Sequence, residues 1–433
     1  MPRVALTALG CKVSQVDTEA MEGLFKKRGY EIVPFGEIAD VYVINTCSVT
    51  SLGDRKSRQM IRRARRQNEN AIIAVTGCYA QVAPEKIKGM EGVRVILGTK
   101  DRARIVDDVE QAMESGLINR VSSVMEADAF EEIPLYEMPS RTRAFLKIED
   151  GCQNFCSYCI IPYARGPVKS RRLSNIRQEA EKLAAAGFQE IVLTGIHLGA
   201  YGKDLPGKIT LVDACREVLK VPAFRRLRLG SLESVELSRE LFDLIREENR
   251  FCAHLHLPLQ AGSDAVLKAM NRHYDTAEFA RLIRKVEEAL PGVAISTDVI
   301  VGFPGETEKL FQESLDFAAQ MNFSRMHVFP YSRRKGTPAA EMDGQVPEPV
   351  KKSRVHRMGE LAERKAREFH QKFLGKTMEV LFETTREEIS DGLTENYIRV
   401  YTEDTVDPGR IYGVRLERLY KDGLWGRIER TEE

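Results

Sequence analysis

The chain has 433 residues, 43% of them hydrophobic and 30% charged, and its 65 basic and 64 acidic side chains leave a formal net charge of +1. That balance excludes a globally basic nucleic-acid binder but not a local cationic patch, and the length fits about two to four globular domains. No stretch approaches the roughly 18 apolar residues of a spanning helix, and the chain opens on "RVALTAL" rather than an apolar leader, so it reads as cytoplasmic, where eight cysteines favour metal or redox chemistry over structural disulfides.

From the N-terminus, three β-branched runs, "VALTALGC", "VYVINTCS" and "AIIAVTGC", each end on a cysteine: Cys11, Cys47 and Cys78. Helical patterns lie between them, such as "DTEAMEGLFKKRG", for which Asp17 is the expected N-cap and Gly29 lies past the end. The spacing of about 30 to 36 residues predicts a parallel α/β sheet. Ligands gather at the carboxyl ends of such strands. Three cysteines at that end therefore converge on one ligand, unless each is merely a small buried hydrophobe. Between the second and third runs, "RKSRQMIRRARR" carries Arg55, Lys56, Arg58, Arg62, Arg63, Arg65 and Arg66 with no acid. It predicts a helix docked through Met60 and Ile61 that presents a cationic ridge to phosphate, the alternative being a solvated helix face.

Residues 121–140 lose periodicity and read as a linker. Six apolar runs follow, "AFLKI", "EIVLTG", "RLRLGS", "AHLHLPL", "AISTDVIVG" and "MHVFPY", alternating with helical stretches. They predict an incomplete (β/α)6 barrel over 141–370, with its active site at the strand C-termini. From 371 to 433 the texture is that of a small closed β-barrel. The expected fold class is thus α/β: an N-terminal parallel domain over 1–120, the central partial barrel and the terminal β-barrel. Immediately after the first barrel strand, "GCQNFCSYC" sets Cys152, Cys156 and Cys159 on one loop. Zinc could recruit His197, His254 or His256 as a fourth ligand, and Cys156 with Cys159 could form a redox pair. An iron–sulfur cubane with one open iron fits three cysteines at a catalytic face better.

The spacing Cys-x3-Cys-x2-Cys, with Tyr158 before the last cysteine, resembles the radical S-adenosylmethionine enzymes. "HLHLPLQAGSDAVLKAMNRHY", "STDVIVGFPGET" and "FPYSRRKGTPAA" resemble their methylthiotransferase branch, which also carries three separated N-terminal cysteines and a C-terminal TRAM-type barrel. The resemblance spans essentially the whole chain. It implies two 4Fe-4S clusters, one on Cys152, Cys156 and Cys159, the other on Cys11, Cys47 and Cys78. It also implies S-adenosylmethionine as radical source and methyl donor, and flavodoxin or ferredoxin as electron donor. The cofactor site implied includes Tyr158 against the adenine, Thr194 and Gly195 beside the methionine part, and Glu233, His256, Gln260, Gly302 and Tyr331 at later strand ends. "LTGIH" stands where the commonest radical pattern has Gly-Gly-Glu.

Within the branch, "LGCKVSQVDTEAM" and "NTCSVTSLGDRKSRQMIRRARR" resemble the group that modifies N6-threonylcarbamoyladenosine in tRNA, although Ser14 and Val16 replace the more usual Asn and Tyr. The isopentenyladenosine group usually starts Tyr-Gly-Cys-Gln and the ribosomal-aspartate group Gly-Cys-Pro-Lys. The expected reaction adds a methylthio group at carbon 2 of the position-37 adenine. The alternatives are modification of a small-subunit ribosomal-protein aspartate and a non-catalytic iron–sulfur RNA scaffold. The expected partner is the anticodon stem-loop. From Gln371 to Glu433 there are 10 basic and 14 acidic residues, a net of −4. Phosphate contacts should therefore fall on Arg55, Lys56, Arg58, Arg62, Arg63 and Arg66, and on Arg165, Lys169, Arg171 and Arg172 of "RGPVKSRR". In the terminal barrel, Tyr397, Tyr412 and Trp425 are candidates for base stacking, with core packing the likelier fate of Trp425.

Overall fold

The computed structural model describes residues 1–126, 129–134 and 142–429. Its N-terminal part is a six-stranded, wholly parallel sheet of β1 (Arg3–Ala8), β2 (Glu31–Ile32), β3 (Val41–Thr46), β4 (Ile72–Gly77), β5 (Val93–Ile96) and β6 (Ile118–Asn119). The order is β2-β1-β3-β4-β5-β6. The three cysteine-ended runs are adjacent central strands, and every residue of β3 and β4 is buried, which is why they read as unbroken apolar runs. The flanking β2, β5 and β6 have only two to four residues each, too few to show a period.

Helix α1 runs Lys12–Lys27 with Cys11 at its N-cap. Asp17, expected to cap it, instead lies inside the helix and is buried. Its carboxylate is held by Arg102, Lys147 and Arg165, partners that no local pattern announces. The expected linker falls partly outside the described residues, and its described part is docked: Glu131 pairs with Arg102 at 2.8 Å and Glu132 with Arg171 at 2.8 Å.

The central part begins with β7 (Ala144–Lys147) and a short antiparallel pair, β8 (Glu149–Asp150) with β9 (Lys169–Ser170). Then come β10 (Glu190–Thr194), β11 (Arg226–Leu229), β12 (His254–His256), β13 (Ala294–Val301) and β14 (Phe323–Pro330). Two parallel arcs, β11-β10-β7 and β12-β13-β14, join through bridges Leu227–Phe251 and Ser231–His256 to make a six-stranded partial barrel. One side-chain set of these strands, including Leu146, Leu193, Leu227, Leu255 and Ile295, packs in the main hydrophobic core. The alternate set carries the polar residues Glu190, Arg226, Arg228, His254, His256, Ser296 and Asp298, together with the apolar Phe145, Val192 and Ile300. Two-residue periodicity sends it to the opposite face.

After helix Glu348–Gln371 the chain forms a closed barrel of β15 (Thr377–Arg386), β16 (Ile389–Thr394), β17 (Arg399–Thr402), β18 (Ile411–Tyr420) and β19 (Gly423–Ile428). Asp391-Gly392 interrupts the alternation of β16, which forms between ladders from β15 and β17. This barrel stoppers the strand N-terminal end of the central one. Arg226 donates to the carbonyls of Leu393 (3.1 Å) and Glu379 (2.8 Å), Arg228 to that of Glu395 (2.9 Å), and Arg143 to Glu383 (2.7 Å). Trp425 is buried under Arg418 and Tyr420, Tyr412 packs edge-on against Phe382, and Tyr397 stacks on His254 at 4.6 Å. The three aromatics are engaged in packing within the protein. Among the described residues no helix is long and apolar enough to cross a membrane.

Candidate active site

Parallel register sets the first cysteine group. Ala8 pairs with Asn45 and Thr46 with Gly77, so the three carboxyl ends that carry Cys11, Cys47 and Cys78 lie side by side. A Cβ on Gly10 would come 3.0 Å from Cys47 Sγ. Gly77 has φ +94°, and a Cβ there would stand 2.5 Å from the Thr46 carbonyl, so only glycine lets β4 turn directly into the helix that Cys78 begins. The Gly-Cys pairs at 10–11 and 77–78 are the local sequence signal of these turns.

All eight cysteines are free thiols. Burial pushes Cys47 up to about 11 and also raises Cys78. Such thiols are poor redox nucleophiles and carry charge only where a cation accepts it. Arg165 reaches across from the central barrel and donates Nε to Cys78 Sγ at 3.4 Å, while its Nη2 is buried with no hydrogen-bond partner. Three thiols with a spare buried donor fit a thiolate-held cluster.

The second group lies on the loop from β8 to helix Ile161–Arg165. Backbone bonds Cys152 N–H to Gly166 O (3.0 Å) and Ser157 N–H to Met270 O (2.9 Å) hold the loop, with the Ser157 hydroxyl donating to Ala269 O (2.8 Å). His197 Nδ1 lies 3.7 Å from Cys152 Sγ, and Arg272 Nη1 donates to Cys156 Sγ at 3.4 Å. Burial pushes Cys159 up to about 12, which argues against a redox-active pair with Cys156. The zinc alternative fares no better. His254 and His256 both bond Ser296 Oγ at 2.9 Å, and His197 pairs with Glu236. Among the described residues no group of three His, Cys, Asp or Glu closes on a single ion. Thiols that take separate corners of a cubane need not do so.

Where the barrel loop meets the N-terminal part lies a cavity of about 250 Å³, lined by Tyr158, Cys159, Gln260, Asp298, Ile300 and Tyr331 from the barrel and by Val49 and Thr50 from the N-terminal part. It gathers Tyr158, Gln260 and Tyr331 of the expected cofactor residues. Gln260 adopts φ +64°, an uncommon conformation for its type. Thr194 and Gly195 close β10 against Glu149, whose carboxylate accepts the His197 N–H at 2.6 Å and which burial pushes up to about 8. Glu149 is absent from the sequence reading. Glu233 lines a separate cavity of about 220 Å³ with Cys156, where Arg272 clamps it. His256 is on the inner wall, 3.2 Å from Asp298. Gly302 lies outside the lining of the 250 Å³ cavity: it backs onto Lys351 and donates its N–H to Glu306 at 2.5 Å.

The cationic helix α2 spans Ser51–Gln67, with Thr50 accepting the Gly53 N–H at its N-cap. Its buried residues Ser57, Ile61 and Ala64 recur at helical spacing. Arg55, Lys56, Arg62, Arg63 and Arg66 are exposed, with no ion pair among the described residues. Arg58 is occupied by the Tyr79 hydroxyl at 2.9 Å and Arg65 by Glu91 at 2.7 Å. The other expected phosphate run differs. Arg165, Lys169 and Arg171 are buried, Arg165 against Asp150 (2.9 Å) and Arg171 against Glu132 (2.8 Å). Lys169 donates to the Arg165 carbonyl at 2.6 Å. Their charges are spent on internal carboxylates and carbonyls, and only Arg172 of that run stays exposed.

A partial parallel barrel with three cysteines after its first strand, packed against a sheet that carries three more at its strand ends, defines an iron–sulfur radical enzyme. Comparison with known proteins agrees. Residues 3–98 match the Uncharacterized protein family UPF0004 and residues 146–318 the Radical SAM superfamily. The chain is 43% identical over 442 residues to the threonylcarbamoyladenosine tRNA methylthiotransferase MtaB of Bacillus subtilis (strain 168), covering 100% of this chain and 98% of that one. It is 36% identical to the tRNA-2-methylthio-N(6)-dimethylallyladenosine synthase of Acetivibrio thermocellus, over 98% and 90% of the two chains. The radical S-adenosylmethionine methyltransferase TsrM from Kitasatospora setae shares the fold at a TM-score of 0.59 and 16% identity, over 78% and 77%. The chain belongs to the radical S-adenosylmethionine methylthiotransferase family, enzymes that use a 4Fe-4S cluster and S-adenosylmethionine.

Proposed function

We propose that the chain adds a methylthio group to carbon 2 of the adenine in N6-threonylcarbamoyladenosine at tRNA position 37. The observation that carries this reading is a cavity lined both by Cys159 of the barrel loop and by Val49 and Thr50 just past Cys47, in a chain alike along its whole length to a tRNA methylthiotransferase. Cys152, Cys156 and Cys159 would hold the cluster next to the S-adenosylmethionine pocket, and Cys11, Cys47 and Cys78 a second one. When bound, the clusters and S-adenosylmethionine supply the electron, the hydrogen-abstracting radical and the methylated sulfur. Tyr158, Gln260 and Tyr331 wall the pocket, with the apolar Ile300 and Phe329 beside them. Flavodoxin or ferredoxin would supply electrons, in the cytoplasm. The working units are 1–120, 141–370 and 371–433, with 121–140 joining the first two.

Nucleoside analysis of tRNA from cells with and without the gene tests the reading. Loss of 2-methylthio-N6-threonylcarbamoyladenosine is expected; loss of the methylthio isopentenyl nucleoside instead would overturn it. Two further outcomes are expected of the purified protein. The anaerobic protein should hold close to two cubanes, and the triple change Cys152→Ala, Cys156→Ala, Cys159→Ala about one, because each thiol set stands on its own strand ends. Iron and sulfide analysis decides, and zinc in the wild type would sink the assignment. Replacing Arg62, Arg63 and Arg66 with Ala should weaken tRNA binding and flatten its salt dependence, by roughly 0.7 to 0.9 in slope per lost phosphate contact. Titrations at several salt concentrations check this; an unchanged slope reduces the ridge to a solvated helix face.

A further inference from the structure

The inner wall of the partial barrel changes character in steps. In the parallel pairing of β13 and β14, Ile300 stands beside Phe329, Asp298 beside His327, and Ser296 beside Arg325. The apolar rung lies at the S-adenosylmethionine pocket and the cationic rung four residues away, about 13 Å at the usual strand rise. That is the reach of a purine with an extended amino-acid substituent. At the cationic rung a cavity of about 660 Å³ is lined by His254, Ser296, Arg325 and Tyr397, and also by the acids Glu363 and Asp422; Lys12 lies outside its lining.

Several cations converge on that rung without a full set of acceptors. Lys12, the first residue of α1, lies over the Phe145 ring of β7 at 5.6 Å. Neither Lys12 nor Arg325 has an ion pair among the described residues. Arg143 Nη1 and His254 Nδ1 are buried and lack a hydrogen-bond partner. Burial would raise the Tyr397 phenol, yet Lys12, Arg143 and Arg228 bring it below its ordinary value. Lys12 is half-buried and Arg325 exposed, so these two cations, with the unpartnered Arg143 Nη1 beside them, stand open to an incoming anion.

We propose that this rung is the carboxylate subsite for the threonylcarbamoyl substituent, with Lys12 and Arg325 as its charged contacts. The inference rests on the substrate reading above. It fits the direction that reading requires: the reacting carbon of the base faces the cysteine groups and the cofactor pocket, while the N6 substituent extends down the wall toward the cations. An isopentenyl substituent has no charge to place there. The subsite therefore selects for the carboxylate-bearing base.

The test measures binding of two anticodon stem-loops, one with threonylcarbamoyladenosine and one with plain adenosine at the target position, to the cluster-loaded protein under anaerobic conditions. Wild type should prefer the modified loop by about tenfold or more, the usual effect of a charged hydrogen bond. Lys12→Gln and Arg325→Gln should each shrink that preference severalfold, and Lys12→Arg should retain it. Arg325 lies away from both cysteine groups, so its variant stands even if Lys12→Gln disturbs Cys11. An unchanged preference in Arg325→Gln and in an iron-replete Lys12→Gln overturns the subsite. Equal weakening toward both loops also overturns it, because the cations then serve RNA phosphate. Failure of the substrate reading shows separately, as wild type that methylthiolates an isopentenyladenosine loop and not the threonylcarbamoyl one.

Discussion

Replacing Cys47 with Ala is expected to abolish methylthio product while cleavage of S-adenosylmethionine to 5′-deoxyadenosine remains measurable. Cys47 follows β3, the strand between those that deliver Cys11 and Cys78, so its loss removes the middle thiol of the N-terminal group. The barrel loop is fixed by its own contacts, Ser157 to Met270 and Ala269 and Cys152 to Gly166, none of which involves the N-terminal sheet. Radical formation therefore keeps its scaffold. Anaerobic assays of both products on one folded sample make the comparison. Equal loss of the two activities would mean that the cysteine groups do not act separately.

Asp150→Ala is expected to destabilise the contact between the N-terminal sheet and the barrel by about 3–5 kcal/mol, the usual cost of stranding a buried charge. Asp150 is buried and receives Arg165 (2.9 Å) and Lys147 (2.6 Å), while Arg165 also touches Cys78 and Asp17. Burial alone would raise its carboxyl, but Arg165, Lys147 and Arg102 hold it well below its ordinary value. A depressed acid contributes stability that is present above its unfolded value, about 3.9, and is lost as pH falls below that toward the folded value. Wild type should therefore weaken in acid, and Asp150→Ala should be weaker at neutral pH with a flatter acid limb. Denaturant melts at pH 7 and across pH 5 to 3 read both effects. A neutral-pH midpoint like that of wild type would show that the cluster of charges is not holding the two parts together.

Much of the site was legible in residue order because its determinants are local. The loop from Cys152 to Cys159 spans eight positions, the runs ending in Cys11, Cys47 and Cys78 carry the unbroken apolar signature of buried parallel strands, and the acid-free face of α2 follows from helical spacing. Placing those three cysteines at adjacent strand ends needed only the parallel-sheet rule. What residue order left open is which charges meet. Arg165, Lys169 and Arg171 read as a phosphate surface until Asp17, 148 residues from Arg165, and Asp150 and Glu132 close on that run. Glu233 reads as a cofactor contact until Arg272 clamps it, and nothing in the sequence marks Lys12 until the C-terminal barrel brings Tyr397 near it. Strand and helix periods are set by neighbours a few residues apart, so sequence by itself determined the longer strands and helices and the grouping of the thiols, but not short strands such as β2, β6 and β16 or the start of α1. The fate of a charge depends on whether a distant carboxylate is packed within a few ångströms in a low dielectric, and only the tertiary structure decides that.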